Sequence, residues 1–160
     1  MSKVSRIGTA FAIVALMTGA AFAGPGAPGH GHAIFSAGEP GNPKKPSRVI
    51  TITMSEGEGK MRFSPEKLVI KKDEQVRFVL KNIGLLDHEF LLATTKENIK
   101  HAEEMKKNPG MEHDDPNGIR LATNKTGEVI WRFTKTGEFE YGCLIPGHRE
   151  AGMIGKIVVK

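Results

Sequence analysis

Short stretches of alternating apolar and polar residues follow one another along most of the chain after residue 47. The alternation is clearest over residues 48–54 and 75–80, where apolar side chains recur at every second position. Successive side chains of a strand point to opposite faces of a sheet, so this pattern predicts strands with one face in a core. Six further segments rich in β-branched and aromatic residues are also predicted strands: 67–71, 88–93, 119–123, 128–134, 137–143 and 153–159. Short strands separated by turn residues predict an all-β protein, a Greek-key β-sandwich.

One segment has a helical pattern instead. Residues 96–108 are rich in strong helix formers and end before Pro109 and Gly110. Ile99, Ala102 and Met105 recur at three-residue intervals, which places them along one side of a helix. We therefore predict one short helical insertion in the β-sandwich.

The first 46 residues differ in character from the rest. Basic residues, an apolar stretch and a small-x-small site ending at Ala23 predict a signal peptide over residues 1–23 and an exported protein, which we expect in the periplasm. Residues 24–46 are dominated by glycine and proline and contain His30 and His32, so we predict a flexible Gly/Pro/His tail. The β domain is then predicted over residues 47–160.

Charge gives little support to several classes of partner. The formal charge of +5 falls to +3 once Lys3 and Arg6 are removed with the predicted signal peptide. Acidic and basic residues are interspersed along the remaining chain, which does not favour nucleic-acid binding. We also expect no membrane span in the mature chain, because its apolar segments are short.

The chemistry centres on Cys143, the only cysteine of the chain. A lone thiol in an exported protein is either paired between chains, buried as a small apolar residue, or masked. His148 and Met153 follow at two successive five-residue steps, across a segment containing Pro146, Gly147 and Gly152 that can turn back on itself. A thiolate, an imidazole and a weak axial thioether suit copper, and His88 at the start of a predicted strand can supply the second imidazole.

These residues and the strand pattern resemble the cupredoxins, the plastocyanin and azurin superfamily of type 1 copper proteins. The closer resemblance is to periplasmic copper-tolerance cupredoxins of Gram-negative bacteria, through "HAEEMKKNPGMEHDDPN" and "CLIPGHREAGMIGKIVV". The resemblance implies a cupredoxin-like fold with one copper ion bound by His88, Cys143, His148 and Met153. It also implies a role in electron transfer or in protection of the cell envelope from copper.

The sequence departs from the resemblance beside the first histidine. Many cupredoxins place Asn or Ser after this ligand, and that side chain helps to tie the two ligand loops together. Here the neighbours of His88 are Asp87 and Glu89. Two carboxylates would favour the more positive, oxidised copper, and we expect them to loosen the site. Since copper occupies the thiolate, we expect the metal-free thiol to be the form vulnerable to oxidation.

Other classes of function fit the sequence less well. A structural zinc site would use Cys and His but gains nothing from Met153. Multicopper oxidases relay electrons through histidines beside the cysteine, whereas Cys143 has Gly142 and Leu144 as neighbours. A dinuclear copper centre would need two bridging cysteines, and cysteine-protease chemistry lacks a plausible oxyanion site. We therefore expect a copper-binding protein that is not an enzyme.

Within the copper interpretation, copper tolerance competes with a dedicated role as electron carrier. A carrier needs a docking surface for a transient redox partner, and a tolerance protein could instead pass copper to an exporter protein. The apolar residues near the two histidines either form such a surface or pack the loops; they are Leu85, Leu86, Leu144, Ile145 and Pro146.

Additional soft ligands favour tolerance, because two methionines and two histidines can bind copper in both oxidation states. They form a candidate second, weaker copper site in and after the predicted helix: His101, Met105, Met111 and His113. The alternative is that Met105 belongs to the core and the histidines are simply solvated. His30 and His32 could add a loose copper site on the tail.

Overall fold

The computed structural model describes residues 35–108 and 115–160, and the structural statements below concern these two ranges. They contain ten strands and one helix. In chain order these are β1 Glu39–Pro40, β2 Arg48–Gly57, β3 Lys60–Ser64, β4 Lys67–Ile70, β5 Gln75–Asn82, β6 His88–Ala93, α1 Thr95–Lys107, β7 Gly118–Leu121, β8 Thr126–Arg132, β9 Gly137–Gly142 and β10 Ile154–Val159.

The strands form two five-stranded sheets. The first sheet has the order β1-β8-β5-β2-β3 and the second has the order β4-β10-β9-β6-β7. Strands β2 and β5 pair in parallel, as do β4 and β10, while the other pairs are antiparallel. Neighbouring strands are often distant in the chain, as Greek-key connections require. The predicted all-β sandwich with one helical insertion is confirmed.

The core lies where the alternating positions of the strands meet. In β2 the buried side chains are Ile50, Ile52 and Met54, and in β5 every second residue from Val76 to Leu80 is buried. Large aromatic residues fill the centre, and each fully buried apolar side chain of this size contributes about 1.5–3 kcal/mol. The rings of Trp131, Tyr141, Phe63, Phe78, Phe90 and Phe133 are all fully buried.

Residues 35–46 correct the prediction of a flexible tail over residues 24–46. β1 pairs with β8 at the edge of the first sheet, and Phe35 packs edge-to-face on Trp131 with ring centroids 5.2 Å apart. Pro40 is tolerated there because an edge strand leaves one side of its backbone unpaired. The Gln75 amide donates to the backbone carbonyls of Asn42 and Lys45, which fixes the following turn. Residues 24–34, like the predicted signal peptide, lie outside the described ranges.

Helix α1 begins at a capping box. Thr94 accepts a hydrogen bond from the Glu97 amide, and the Glu97 carboxylate accepts one from the Thr94 amide at 2.9 Å. Ala102 and Met105 are buried as the pattern predicts, but Ile99 is 47% exposed and Asn98 is fully buried in its place. The buried stripe therefore runs 98, 102, 105, and it packs Ala102 and Met105 beside Leu91 of β6 and Leu144 of the β9–β10 connection.

None of the helices within the described ranges has the length and apolar character needed to cross a membrane.

Candidate metal centre

Three predicted ligands converge at one end of the sandwich. His88 is the first residue of β6, Cys143 directly follows β9, and His148 lies in the β9–β10 connection. The Nδ1 atom of His148 is 3.2 Å from Nδ1 of His88 and 3.3 Å from Sγ of Cys143. All three ligand atoms lie within 4.8 Å of one another, and in the described ranges no other such His, Cys, Asp or Glu group occurs.

The connection from Cys143 to Met153, called the ligand loop here, is closed by its own backbone. The Cys143 amide donates to the Met153 carbonyl at 3.1 Å, and the Met153 amide donates to the His148 carbonyl at 3.1 Å. Gly147 and Gly152 have φ angles of 90° and 99°, a left-handed conformation that side chains disfavour. These two turns bring the backbone of Met153 back beside those of Cys143 and His148.

Met153, the fourth predicted ligand, is fully buried. Its backbone bonds with Cys143 and His148 hold it at the closed end of the ligand loop. The backbone of Met153 thus lies beside those of Cys143 and His148, and its role as the axial ligand stays a prediction.

The Cys143 thiol is enclosed, and its surroundings favour the protonated form. Its side chain is fully buried, and the Glu89 amide donates to its sulfur at 3.3 Å. Burial, reinforced by the Glu89 carboxylate, outweighs the backbone donors and raises the pKa of Cys143 to about 12. Because the thiolate is the reactive form, the raised pKa disfavours reaction of the thiol, and the expected vulnerability of the copper-free form stays a prediction. Copper must displace this proton when it binds.

The two imidazoles are buried in a form suited to a metal. Burial, together with the neighbouring His88 ring, lowers the pKa of His148 from its ordinary value. A neutral imidazole keeps a lone pair for the ion, so the lowered pKa of His148 favours the ligand form. A buried thiol and two buried imidazoles with their donor atoms already facing each other fit a copper ion.

The carboxylates beside His88 both have partners in the structure, and their expected loosening of the site stays a prediction. Asp87 is paired with Arg120 at 3.3 Å, which offsets its charge. Glu89 is only 6% exposed, and its Oε2 accepts a hydrogen bond from the Leu144 amide at 3.3 Å. Glu89 therefore links β6 to the ligand loop, as the side chain of Asn or Ser does in many cupredoxins.

Glu56 was not identified from the sequence as part of the site. Its Oε1 lies 2.8 Å from Nε2 of His88, and its carboxylate accepts hydrogen bonds from the Leu85 and Leu86 amides. Burial opposes ionisation, but these backbone donors outweigh it and hold the pKa of Glu56 below its ordinary value. No spacing signal marks Glu56, since it lies 32 positions before His88 in a strand of the opposite sheet.

The candidate second copper site is only partly visible. Met105 is 2% exposed and packs in the helix–sheet cluster, whereas His101 lies on the same helix with its Nδ1 4.0 Å from Glu104. Met111 and His113 lie outside the described ranges, as do His30 and His32. The second site therefore stays a prediction.

The apolar residues near the histidines divide into two groups. Leu144 is 1% exposed and packs the ligand loop onto helix α1. Leu85 is 89% exposed and Leu86 is 45% exposed, so the β5–β6 loop presents apolar surface to solvent. Pro146 is also exposed and Ile145 is half-buried, so these two residues are available as a docking surface together with Leu85 and Leu86.

A two-sheet sandwich with a buried His, Cys, His cluster at one end defines a cupredoxin with a mononuclear copper centre. The sequence profile of the copper-binding proteins of the plastocyanin/azurin family matches residues 50–160. The chain belongs to this family, and copper is its cofactor.

Relatives and solved structures agree with this placement. The chain is 47% identical over 123 residues to the copper-resistant cuproprotein CopI of Rubrivivax gelatinosus, covering 77% of this chain and 73% of the relative. It is 34% identical over 162 residues to the CopI protein of Pseudomonas aeruginosa, covering 83% of this chain and 86% of the relative. Auracyanin B has a similar fold, with a TM-score of 0.60 and 21% identity over 78% of this chain and 96% of its own.

Proposed function

We propose that the protein holds one copper ion in a type 1-like centre, with His88 Nδ1, Cys143 Sγ and His148 Nδ1 as the principal ligands and Met153 as a weak axial donor. The observation that carries this proposal is the approach of three buried ligand atoms to within 4.8 Å of one another. A centre whose ligands are held in place by the fold changes little between two oxidation states of its ion. One-electron transfer is thus its elementary chemistry.

Copper tolerance is the role we infer for this centre. The supporting observation is that two relatives, 47% and 34% identical over most of this chain, are named copper-resistant cuproproteins. The predicted signal peptide over residues 1–23 supports action in the periplasm, where excess copper would first be met. The ion is held by a buried thiolate, which withholds it from other thiols.

A dedicated electron carrier is the second candidate, and one observation favours it. Leu85 and Leu86 expose apolar side chains on the loop that leads into His88. Such a patch fits transient docking of a redox protein, and a copper-exporter protein is the corresponding partner under the tolerance role. We infer no enzymatic activity, because a mononuclear centre buried from solvent offers no open coordination position for a substrate.

Growth of a deletion strain across a copper series tests the role. We expect sensitivity to added copper with normal respiration at low copper, restored by the wild-type gene and not by the Cys143→Ser variant. A respiratory defect at low copper, with unchanged copper sensitivity, would instead support the electron carrier. The matched control is Glu128→Gln, which changes an exposed ion pair with Arg77 away from the centre.

A further inference from the structure

Glu56 connects the first sheet to the ligand His88 of the second. It sits near the end of β2, and each of its carboxylate oxygens accepts one backbone hydrogen bond from the β5–β6 loop. Oε2 accepts from the Leu85 amide and Oε1 from the Leu86 amide, both at 2.9 Å. The same Oε1 atom lies 2.8 Å from Nε2 of His88.

The His88 ring has one nitrogen for the metal and one for Glu56. Nδ1 faces the other ligands, 3.2 Å from Nδ1 of His148, so a neutral ring that donates its lone pair there carries its proton on Nε2. Nε2 is fully buried and lacks an aligned hydrogen-bond acceptor among the described residues, and Glu56 lies 2.8 Å away, off the N–H axis. The contact therefore acts through charge more than through direction.

The loop is shaped to hold this carboxylate. A Cβ atom on Gly84 would come within 2.3–2.7 Å of the Glu56 carboxylate, so only glycine leaves room for it. Asn82 accepts from the Gly84 amide at 3.0 Å and donates to the Leu86 carbonyl at 2.8 Å. Thr123 donates a further short hydrogen bond to the Gly84 carbonyl. The position of Glu56 is thus fixed from several sides.

We propose that Glu56 is a positioning residue of the copper centre, which keeps the His88 proton on Nε2 and stabilises Cu(II) relative to Cu(I). This inference rests on the proposed copper function. A negative charge behind a ligand imidazole makes that ligand a stronger donor, and it stabilises the more positive ion more. Glu56 does not contact the ion itself.

The effect of the Glu56 charge on the two oxidation states of copper can be separated from a purely structural effect of this residue. Loss of an outer partner of a metal-bound histidine weakens metal binding by about 10–100-fold. For Glu56→Gln we expect Cu(II) affinity to fall by at least about tenfold more than Cu(I) affinity. For a one-electron couple, that tenfold change in ratio raises the reduction potential by about 59 mV. A purely structural role of Glu56 would lower the affinities for Cu(II) and Cu(I) by the same factor.

The experiment uses the full chain in wild-type, Glu56→Gln, Gly84→Ala and Glu128→Gln forms. Gly84→Ala keeps the carboxylate but displaces it, so the potential should rise in the same direction by a smaller amount. It also provides the test if Glu56→Gln does not fold. Glu128→Gln removes one carboxylate of the same sheet outside this loop, and we expect no change. Cu(II) and Cu(I) affinities are measured by competition with chelators, and the potential by redox titration of the visible band.

Two outcomes would overturn the inference. One is a folded Glu56→Gln protein with wild-type potential; the other is a variant in which both copper affinities fall by the same factor. If Glu56→Gln does not fold, an unchanged potential in folded Gly84→Ala overturns it as well. A wild-type protein without a thiolate-to-copper band would instead refute the proposed function.

Discussion

Replacing Arg149 with methionine should destabilise the metal-free protein strongly, although Arg149 is not a ligand. Arg149 follows His148 in the ligand loop, and its guanidinium pairs with both carboxylate oxygens of Glu140 in β9. The side chains of Glu140 and Arg149 are 4% and 14% exposed. Asn98 of helix α1 donates to the same carboxylate at 3.0 Å, so one buried network joins the helix, the second sheet and the ligand loop.

The expected loss in the free energy of unfolding follows from the burial of the Arg149–Glu140 pair. Methionine fills much of the space of the arginine stem but leaves the Glu140 carboxylate unpaired, and removing one partner of a buried ion pair costs about 3–5 kcal/mol. The matched control is Glu150→Gln in the same loop, which breaks the Lys106 pair at 2.6 Å. Both side chains of that pair are 52% exposed, so we expect a loss below about 1 kcal/mol.

Urea unfolding of the metal-free proteins measures both values, with circular dichroism and the fluorescence of the buried Trp131 as probes. Coincident transitions would support two-state behaviour. A loss below about 1 kcal/mol in Arg149→Met would refute the reasoning, because it would show that the pair contributes no more than a surface contact. An equal loss in Glu150→Gln would refute the assigned role of burial.

Three further predictions concern the axial ligand, the helix cap and the second site. Met153→Leu should retain copper and shift its potential upward, because a weak donor is lost; copper-free folded protein would contradict this. Hydroxyl and amide donors overcome burial and lower the pKa of Glu97 from 4.5, so its contribution to stability is present above 4.5 and is lost as pH falls through the lowered value. The stability difference between wild type and Glu97→Gln should therefore shrink below pH 4.5 in acid-unfolding experiments, and a constant difference would contradict the cap. If the second site at His101, Met105, Met111 and His113 exists, Cys143→Ser should still bind about one copper in a chain starting at residue 35, which lacks His30 and His32 but keeps β1, and no binding would exclude it.

The alternation of apolar and polar residues was sufficient to predict most strands of the sandwich, because most of them bury one face and expose the other. The predicted strands over residues 48–54 and 75–80 correspond to β2 and β5, each only extended at its end. β3 was missed although Met61 and Phe63 alternate with polar residues in Lys60–Ser64, because two apolar residues over five positions leave only a short pattern to detect. β1 was missed because glycine and proline composition says nothing about pairing with a distant edge strand.

The site shows the same division between local and distant information. Cys143 and His148 could be predicted from chemical type and spacing in one loop, and His88 as the second imidazole that such a site needs; the structure brings the three together. The role of Glu56 depends on a contact between two sheets, and no local pattern encodes it. The contact of Glu89 with the ligand loop could not be predicted, because the sequence shows a charge but not the Leu144 amide that donates to it.

The most direct test of the central claim is the visible absorption of the metal-free protein on addition of Cu(II), measured for wild type and Cys143→Ser. A thiolate bound to Cu(II) gives an intense charge-transfer band, and the account predicts this band in wild type with saturation at the first equivalent. Cys143→Ser should remain folded and show no such band. An unchanged band in that variant, or its absence in folded wild type, would contradict the assignment of Cys143 as the copper's dominant ligand.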